Sequence, residues 1–263
     1  MHPRDASAYS QSRRLPRSIA VIDDRRLAYV RLGSGSPTIV FLSGAGMDID
    51  SWFKVLPEAA TIGTVIAYDR LGVGRSDRPA VAQSGEVIVG TLRRLLEQVA
   101  PPPYVLVAHS LGGLPAELFA RHHPDDVDGL VLVEAASPDE AANPSAAGSI
   151  ARVVGAIGGA LDRLRGRTRG LAEVDNVAET VRQIGAAPAF PDVPLVVVTG
   201  GTRMRMVPDA AFQAHQLAQA GRVALSPQGR HVIATRSGHF PQLQEPEIVV
   251  AAIRDVVERS RRA

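Results

Sequence analysis

The chain has 263 residues, 45% of them hydrophobic and 21% charged, which suits one large core carrying an insertion better than two separate domains. Its 29 basic and 27 acidic residues leave a formal charge of only +2, which implies no nucleic-acid partner. Cysteine is absent, and this excludes a disulfide framework, a thiolate nucleophile and a cysteine-ligated metal.

Residues 1–17 are polar and basic and contain no apolar run of the kind a secretory signal needs, so they are expected to form a flexible arm on a cytoplasmic protein. No segment reaches the ~18 apolar residues of a membrane span. Ser18–Ile22 and Arg26–Arg31 flank Asp23–Arg25 and read as an antiparallel hairpin. The pattern then changes. Short β-branched runs at Thr38–Leu42, Thr64–Tyr68, Tyr104–Val107, Leu130–Val133, Leu195–Val198 and His231–Ala234 alternate with helical stretches. Their hydrophobicity is continuous, as in strands covered on both faces, so they predict a mostly parallel sheet. The stretch between the fourth and fifth of these runs is too long for one crossover helix. Residues 137–192 are therefore expected to be a helical cap, with one helix at Ile150–Leu164 and a second near Glu173–Ile184, inserted into a core formed by 18–136 and 193–263. The basic clusters Arg163–Arg169 and Arg259–Arg262 read as solvated helix ends and loops.

The most informative segment is Ala108-His-Ser-Leu-Gly-Gly113, directly after an apolar strand and before the helical stretch Leu114–Arg121. A small residue two positions before a serine and a glycine two after it allow a sharp strand-to-helix turn, the nucleophile elbow. Such a turn holds the serine Oγ clear of the sheet, with the first N–H groups of the helix facing whatever Oγ attacks. Ser110 is the candidate nucleophile. No metal site or cofactor motif is read: His122-His123 lacks a partner set, and no glycine-rich phosphate loop with its lysine follows a first strand.

Several segments, in order, carry a resemblance to the α/β-hydrolase family from about residue 18 to the C-terminus. Leu42–Gly46 looks like the family's oxyanion loop and Asp69–Asp77 like its Asp-Arg-x-Gly-x-Gly-x-Ser turn. Ala108–Gly113 is the elbow, Arg121–Val127 resembles the end of the helix that follows it, and Arg236–Phe240 followed by Glu245–Val249 looks like the histidine loop and last helix. The resemblance implies an α/β fold, an eight-stranded mostly parallel sheet flanked by helices with a helical cap after strand six. It also implies His239 as the base. His2, His122, His123 and His215 are expected at the surface, and His109 and His231 in structural roles.

A carboxylate must orient the base and stabilise the imidazolium formed on attack. The family's usual aspartate after strand seven is replaced here, in Gly200-Gly-Thr-Arg203, by arginine. The resemblance then points to Glu134 after strand six, the position used by haloalkane dehalogenases and some lactonases; Asp139, Glu140 and the weaker Asp209 remain alternatives. Backbone N–H groups of Ala45 and Leu111 hold the oxyanion-hole positions, while Ser43 stands where many relatives have histidine. Asp69 and Arg70 look like a buried ion pair. Met47 and Trp52, with Val153, Val154, Ile157 and Leu161 of the cap, are expected to form an apolar substrate wall.

Serine at the elbow excludes direct attack by aspartate, the chemistry of dehalogenases and epoxide hydrolases. The reading is a serine hydrolase acting on a small-molecule carboxylic ester or lactone with an apolar portion, through an acyl-enzyme. Thioester hydrolysis, acyl transfer and C–C hydrolysis use the same residues. A non-catalytic small-molecule receptor is the alternative of another class, and Arg203 is the feature that favours it.

Overall fold

The computed structural model describes residues 15–142, 171–205 and 207–262. Eight strands form one sheet: β1 (Ser18–Ile22), β2 (Arg25–Leu32), β3 (Thr38–Leu42), β4 (Thr64–Tyr68), β5 (Tyr104–His109), β6 (Val127–Val133), β7 (Leu195–Gly200) and β8 (Gly229–Ala234). Their order is β1-β2-β4-β3-β5-β6-β7-β8. β2 is antiparallel to both neighbours, and every pairing from β4 through β3 to β8 is parallel. The hairpin turns at Asp23 and Asp24, whose φ values of 48° and 59° match a two-residue turn with both centres left-handed.

Period-two alternation sorts the side chains of the central strands onto two faces. Along β5, Tyr104, Leu106 and Ala108 join one apolar layer with α1 (Gly85–Val99) and α2 (Gly113–His122). Val105 and Val107 join the opposite layer, together with the helix Pro246–Ser260, Trp52 and Leu15. Both faces are thus covered, which accounts for continuous rather than alternating hydrophobicity in β3, β4, β5 and β7.

The register decides where function can sit. Leu42 pairs with Ala108, Ala108 with Leu132, and His109 with Val133, so β3, β5 and β6 end at one edge of the sheet. The chain leaves that edge at Ser43, Ser110 and Glu134.

After β6 come α3 (Pro138–Ala142), a 3-10 turn at Glu173–Asn176 and α4 (Val177–Ala186), followed beyond β7 by α5 (Asp209–Gly221). The helix expected near Glu173–Ile184 is therefore split into a turn and α4. Gln183 of α4 accepts the Glu86 N–H at 3.0 Å, supplying a partner for the start of α1 that the Ser84 side chain does not provide. The expected helix Ile150–Leu164 lies outside the described residues. No described helix is long and apolar enough to cross a membrane.

The last residues of the expected N-terminal arm are docked. Leu15 is 1% exposed, and Arg17 pairs with Asp50 at 3.1 Å and Asp69 at 3.3 Å. One arginine among several in a polar, basic stretch carries no local sign of the carboxylates that the fold gathers around it.

Candidate active site

Ser110 has φ +50° and Glu134 φ +47°; among the described residues the only other non-glycine positions with positive φ are the two of the hairpin. Backbone in this region costs side-chain-bearing residues free energy and persists where the surroundings over-determine it. Here they do. The Ser110 carbonyl accepts the Ala136 N–H at 2.9 Å, and the Glu134 N–H reaches the Val198 carbonyl at 2.8 Å, so each bend is tied to a neighbouring strand end. At the elbow a Cβ on Gly112 would come within 2.5 Å of the Ser43 carbonyl oxygen and 2.6 Å of that of Leu42. Only glycine allows this approach of α2 to β3.

The residues expected as nucleophile, base and acid lie along one hydrogen-bonded line. Ser110 Oγ is 3.1 Å from His239 Nε2, and His239 Nδ1 is 3.0 Å from Glu134 Oε2. All three are buried. The Gly200 N–H donates to Glu134 Oε1 at 2.7 Å, so the turn that usually carries the acid contributes a backbone donor instead. Its Arg203 side chain is exposed and pairs with Asp209 at 2.6 Å. Of the alternative acids, Asp139 is exposed and Asp209 is engaged by Arg203, while Glu140 bonds another histidine, His215.

That histidine corrects a sequence expectation. His215 is 7% exposed rather than at the surface, and it sits behind Glu134 with Nε2 at 3.3 and 3.2 Å from the two carboxylate oxygens. Burial alone would raise the Glu134 carboxyl, but hydrogen bonds from His215 and His239 outweigh it and hold the group at about 2. Burial likewise opposes charge on His215, and the bonds to Glu134 and Glu140 reverse the balance, lifting it to about 9. α5 turns its polar positions inward and leaves Leu217 75% exposed. The spacing of His215, Gln219 and Arg222 along one helix face was the available signal; hydrophobic periodicity points the other way.

His109 is 1% exposed and donates through Nε2 to the His239 carbonyl at 2.8 Å. Burial first, then the neighbouring His239, press its pKa down to about 3, so it is neutral. Its ring lies against His239, with centroids 4.9 Å apart, and against Phe240 and Trp52. His109 thus braces the loop that carries His239. His231 bonds Thr199 within the sheet.

The loop after β3 is held from below and from the side. Trp52 is fully enclosed, and its indole N–H donates to Ser43 Oγ at 3.0 Å. It supports the loop and does not line a substrate wall, a correction whose cause is the packing of its ring against Phe41 and His109. Met47 does lie near the nucleophile: the space a Cβ on Gly44 would take is 3.2 Å from both Met47 Sδ and Ser110 Cβ. Val153, Val154, Ile157 and Leu161 lie outside the described residues. Arg70 donates to the carbonyls of Ser43 and Gly44 at 2.7 and 2.8 Å. Its ionic partner is Glu173, at 2.8 Å, and not Asp69. Asp69 accepts instead from the Ile49 and Arg75 N–H groups, each at 2.9 Å, and from Arg17. Ala45 is buried within this loop, and Leu111, next to Ser110, is half-buried.

The chain is 27% identical over 231 residues to the uncharacterized protein YqjL of Bacillus subtilis, covering 86% of this chain and 85% of that one. It is 32% identical over 124 residues to a haloalkane dehalogenase of Mesorhizobium japonicum, covering 47% of this chain and 40% of that protein. Among solved structures, an α/β hydrolase fold protein from Burkholderia ambifaria superposes with a TM-score of 0.65 at 25% identity, covering 90% of this chain and 97% of that one. The model of the alpha/beta hydrolase family matches residues 39–252, and with the sheet order above it establishes that the chain belongs to the alpha/beta hydrolase family.

Proposed function

We propose that this member of the family is a serine hydrolase that cleaves a carboxylic ester or lactone of a small molecule through an acyl-enzyme. The observation that carries the reading is the Ser110–His239–Glu134 line, at 3.1 and 3.0 Å, with the serine on a left-handed elbow. An alcohol is a weak nucleophile near neutral pH and needs a base within hydrogen-bond reach. His239 Nε2 takes the Ser110 proton as Oγ attacks the acyl carbon, and Glu134 holds the Nδ1–H tautomer and stabilises the imidazolium. The imidazolium then protonates the leaving alkoxide. Water, deprotonated by the same histidine, hydrolyses the acyl-serine.

Charge develops on the carbonyl oxygen during each attack, and preorganised donors stabilise it. The backbone N–H groups of Ala45, in the loop after β3, and of Leu111, which follows Ser110 at the start of the helical turn, are our candidates. Residues 137–192 are proposed as the cap over this site. The likeness to a haloalkane dehalogenase does not extend to its chemistry in this reading, since Ser110 makes an acyl ester and not the alkyl ester of an aspartate.

Labelling by a fluorophosphonate tests the reading. One mole of label per mole of enzyme on Ser110, lost in Ser110→Ala together with turnover of p-nitrophenyl esters and lactones, is the expected result. A Ser110→Ala enzyme that still hydrolyses these substrates at the wild-type rate overturns it. Thioester hydrolysis and transfer to an acceptor other than water share every step up to the acyl-serine, and a panel of acyl donors and acceptors separates them. The Glu134–His239 contact supplies an acid in place of one at position 203 and so favours the hydrolase over the receptor reading, which calls for ligand binding without turnover in the same assays.

A further inference from the structure

The imidazole of His215 is enclosed between two carboxylates on different elements. Nδ1 faces Glu140 Oε1 of α3 at 2.7 Å, and Nε2 faces both oxygens of Glu134 at 3.2 and 3.3 Å. Ionised carboxylates only accept, so both ring nitrogens must donate, and an imidazole that donates twice is a cation. The helix face carrying His215 also holds the backbone that follows the acid. Gln219 donates to the Ala135 carbonyl at 2.8 Å, and Arg222 to the carbonyls of Ala135 and Ala136. Glu140 is fixed in turn by Ser137 Oγ at 3.0 Å and by Gln219 at 3.3 Å.

This arrangement answers a problem specific to the chain. Glu134 is one methylene longer than the aspartate of the common pattern, carries one more rotor to immobilise, and sits on a left-handed residue. From this geometry we infer that His215, held as an imidazolium by Glu140, is a positioning residue for the reaction: it locks the Glu134 carboxylate in the orientation that the His239 Nδ1–H requires. The inference rests on the serine-hydrolase reading above. The charged and titratable groups around His215 are Glu134 from the end of β6, Glu140 from α3, His239 across the other side of Glu134, and Arg222, whose guanidinium acts on Glu140 and is itself paired with Glu117.

Loss of one proton from His215 to solvent leaves a ring with one N–H and one lone pair. Whichever tautomer forms, a lone pair then faces a carboxylate, and that contact turns from attractive to repulsive. Glu134 is released or Glu140 is. Activity therefore has an alkaline limit set by a residue that never touches substrate.

The test combines a spectrum with a pH profile on the full chain. Long-range 15N–1H spectra of the labelled wild type, with His215→Gln to assign the ring, are expected to show His215 protonated at both nitrogens at pH 7 and titrating near pH 9. The kcat/KM of wild type for p-nitrophenyl butyrate is expected to fall along a limb in the same range. His215→Gln keeps an amide donor without the charge. Its plateau is expected to drop about tenfold, the share of one charge-assisted hydrogen bond, and its alkaline limb to vanish. A neutral His215 ring at pH 7, or a His215→Phe enzyme with wild-type kcat/KM and an unchanged limb, overturns the inference. Fluorophosphonate labelling of the wild type keeps the two readings apart: no label on Ser110 sinks the hydrolase reading, whereas normal labelling beside a neutral His215 sinks this one alone.

Discussion

Arg70 and Glu173 form a buried ion pair that joins the loop after β3 to the turn preceding α4. The guanidinium holds the Ser43 and Gly44 carbonyls while Glu173 Oε1 also accepts the Gly46 N–H at 3.3 Å. Arg70 is 4% exposed and Glu173 11%, so the pair is well shielded from water. Two carbonyls pinned by a rigid fork fix the direction in which the intervening N–H groups point.

Glu173→Gln leaves Arg70 buried without its counter-charge. Removing one partner of such a pair costs about 3 kcal/mol, so the melting temperature should fall. If the loop donates to the oxyanion, kcat should fall more than KM rises, because the interaction strengthens only as charge develops. Calorimetry together with steady-state kinetics checks both; an unchanged kcat in a destabilised enzyme would separate the loop from catalysis.

Among the acids, Glu134→Gln should lower kcat/KM by roughly a thousandfold, as expected when the orienting carboxylate of a triad is neutralised. Asp139→Asn should leave it unchanged, since Asp139 is exposed. Glu140→Gln should produce an intermediate loss through His215. Parallel kinetics on one ester ranks the three, and equal activity of Glu134→Gln and Asp139→Asn would reject the assignment of the acid.

Stability should be greatest between about pH 4.5 and 6.5, the ordinary values for a glutamate and a histidine. Glu134 is depressed to about 2 when folded, so its contribution is present above pH 4.5 and disappears as the pH falls through 2. His215 is raised to about 9, so its contribution is complete below pH 6.5 and is lost as the pH rises through 9. The two describe one shared interaction, and the alkaline loss amounts to about 3 kcal/mol. Urea titrations between pH 3 and 10 on wild type and His215→Gln measure it. The variant should lack the alkaline decline.

Arg17 neutralises a cluster of Asp48, Asp50 and Asp69. Asp48 is already pushed above the ordinary carboxylate range by burial and by its two acidic neighbours. Arg17→Met should therefore destabilise the fold by about 3 kcal/mol, and the loss should shrink at acidic pH, where Asp48 protonates. Denaturant midpoints at pH 7 and pH 4 decide the matter; equal midpoints for wild type and variant at pH 7 would show that residues 15–17 do not hold the fold.

What the chain spells out locally is the sheet and its turning points. β3 and β4 occupy the spans that apolar β-branched runs mark in the sequence, because both faces of each central strand are covered and burial leaves a continuous signal, whereas β1, at the sheet edge with Ile19 and Val21 exposed, is marked by the hairpin pattern. The elbow is equally legible: Gly112 must let α2 approach the β3 carbonyls, so the demand is written in residue size next to Ser110. Glu134 could be named through the family resemblance, which offers the end of strand six once position 203 is an arginine; the parallel register of β5 and β6 sets that strand end beside Ser110. Partner choice was not local. Arg70 takes Glu173 across 103 positions, and Arg17 takes the Asp69 expected to pair with Arg70. His215 meets Glu134 across 81 positions on a helix whose inward face is polar. A charged or polar side chain has the same local pattern whether water or a buried counter-ion awaits it. Only the tertiary structure, by bringing α5 and the Glu173 turn against the edge of the sheet, decides which of them is solvated and which is locked.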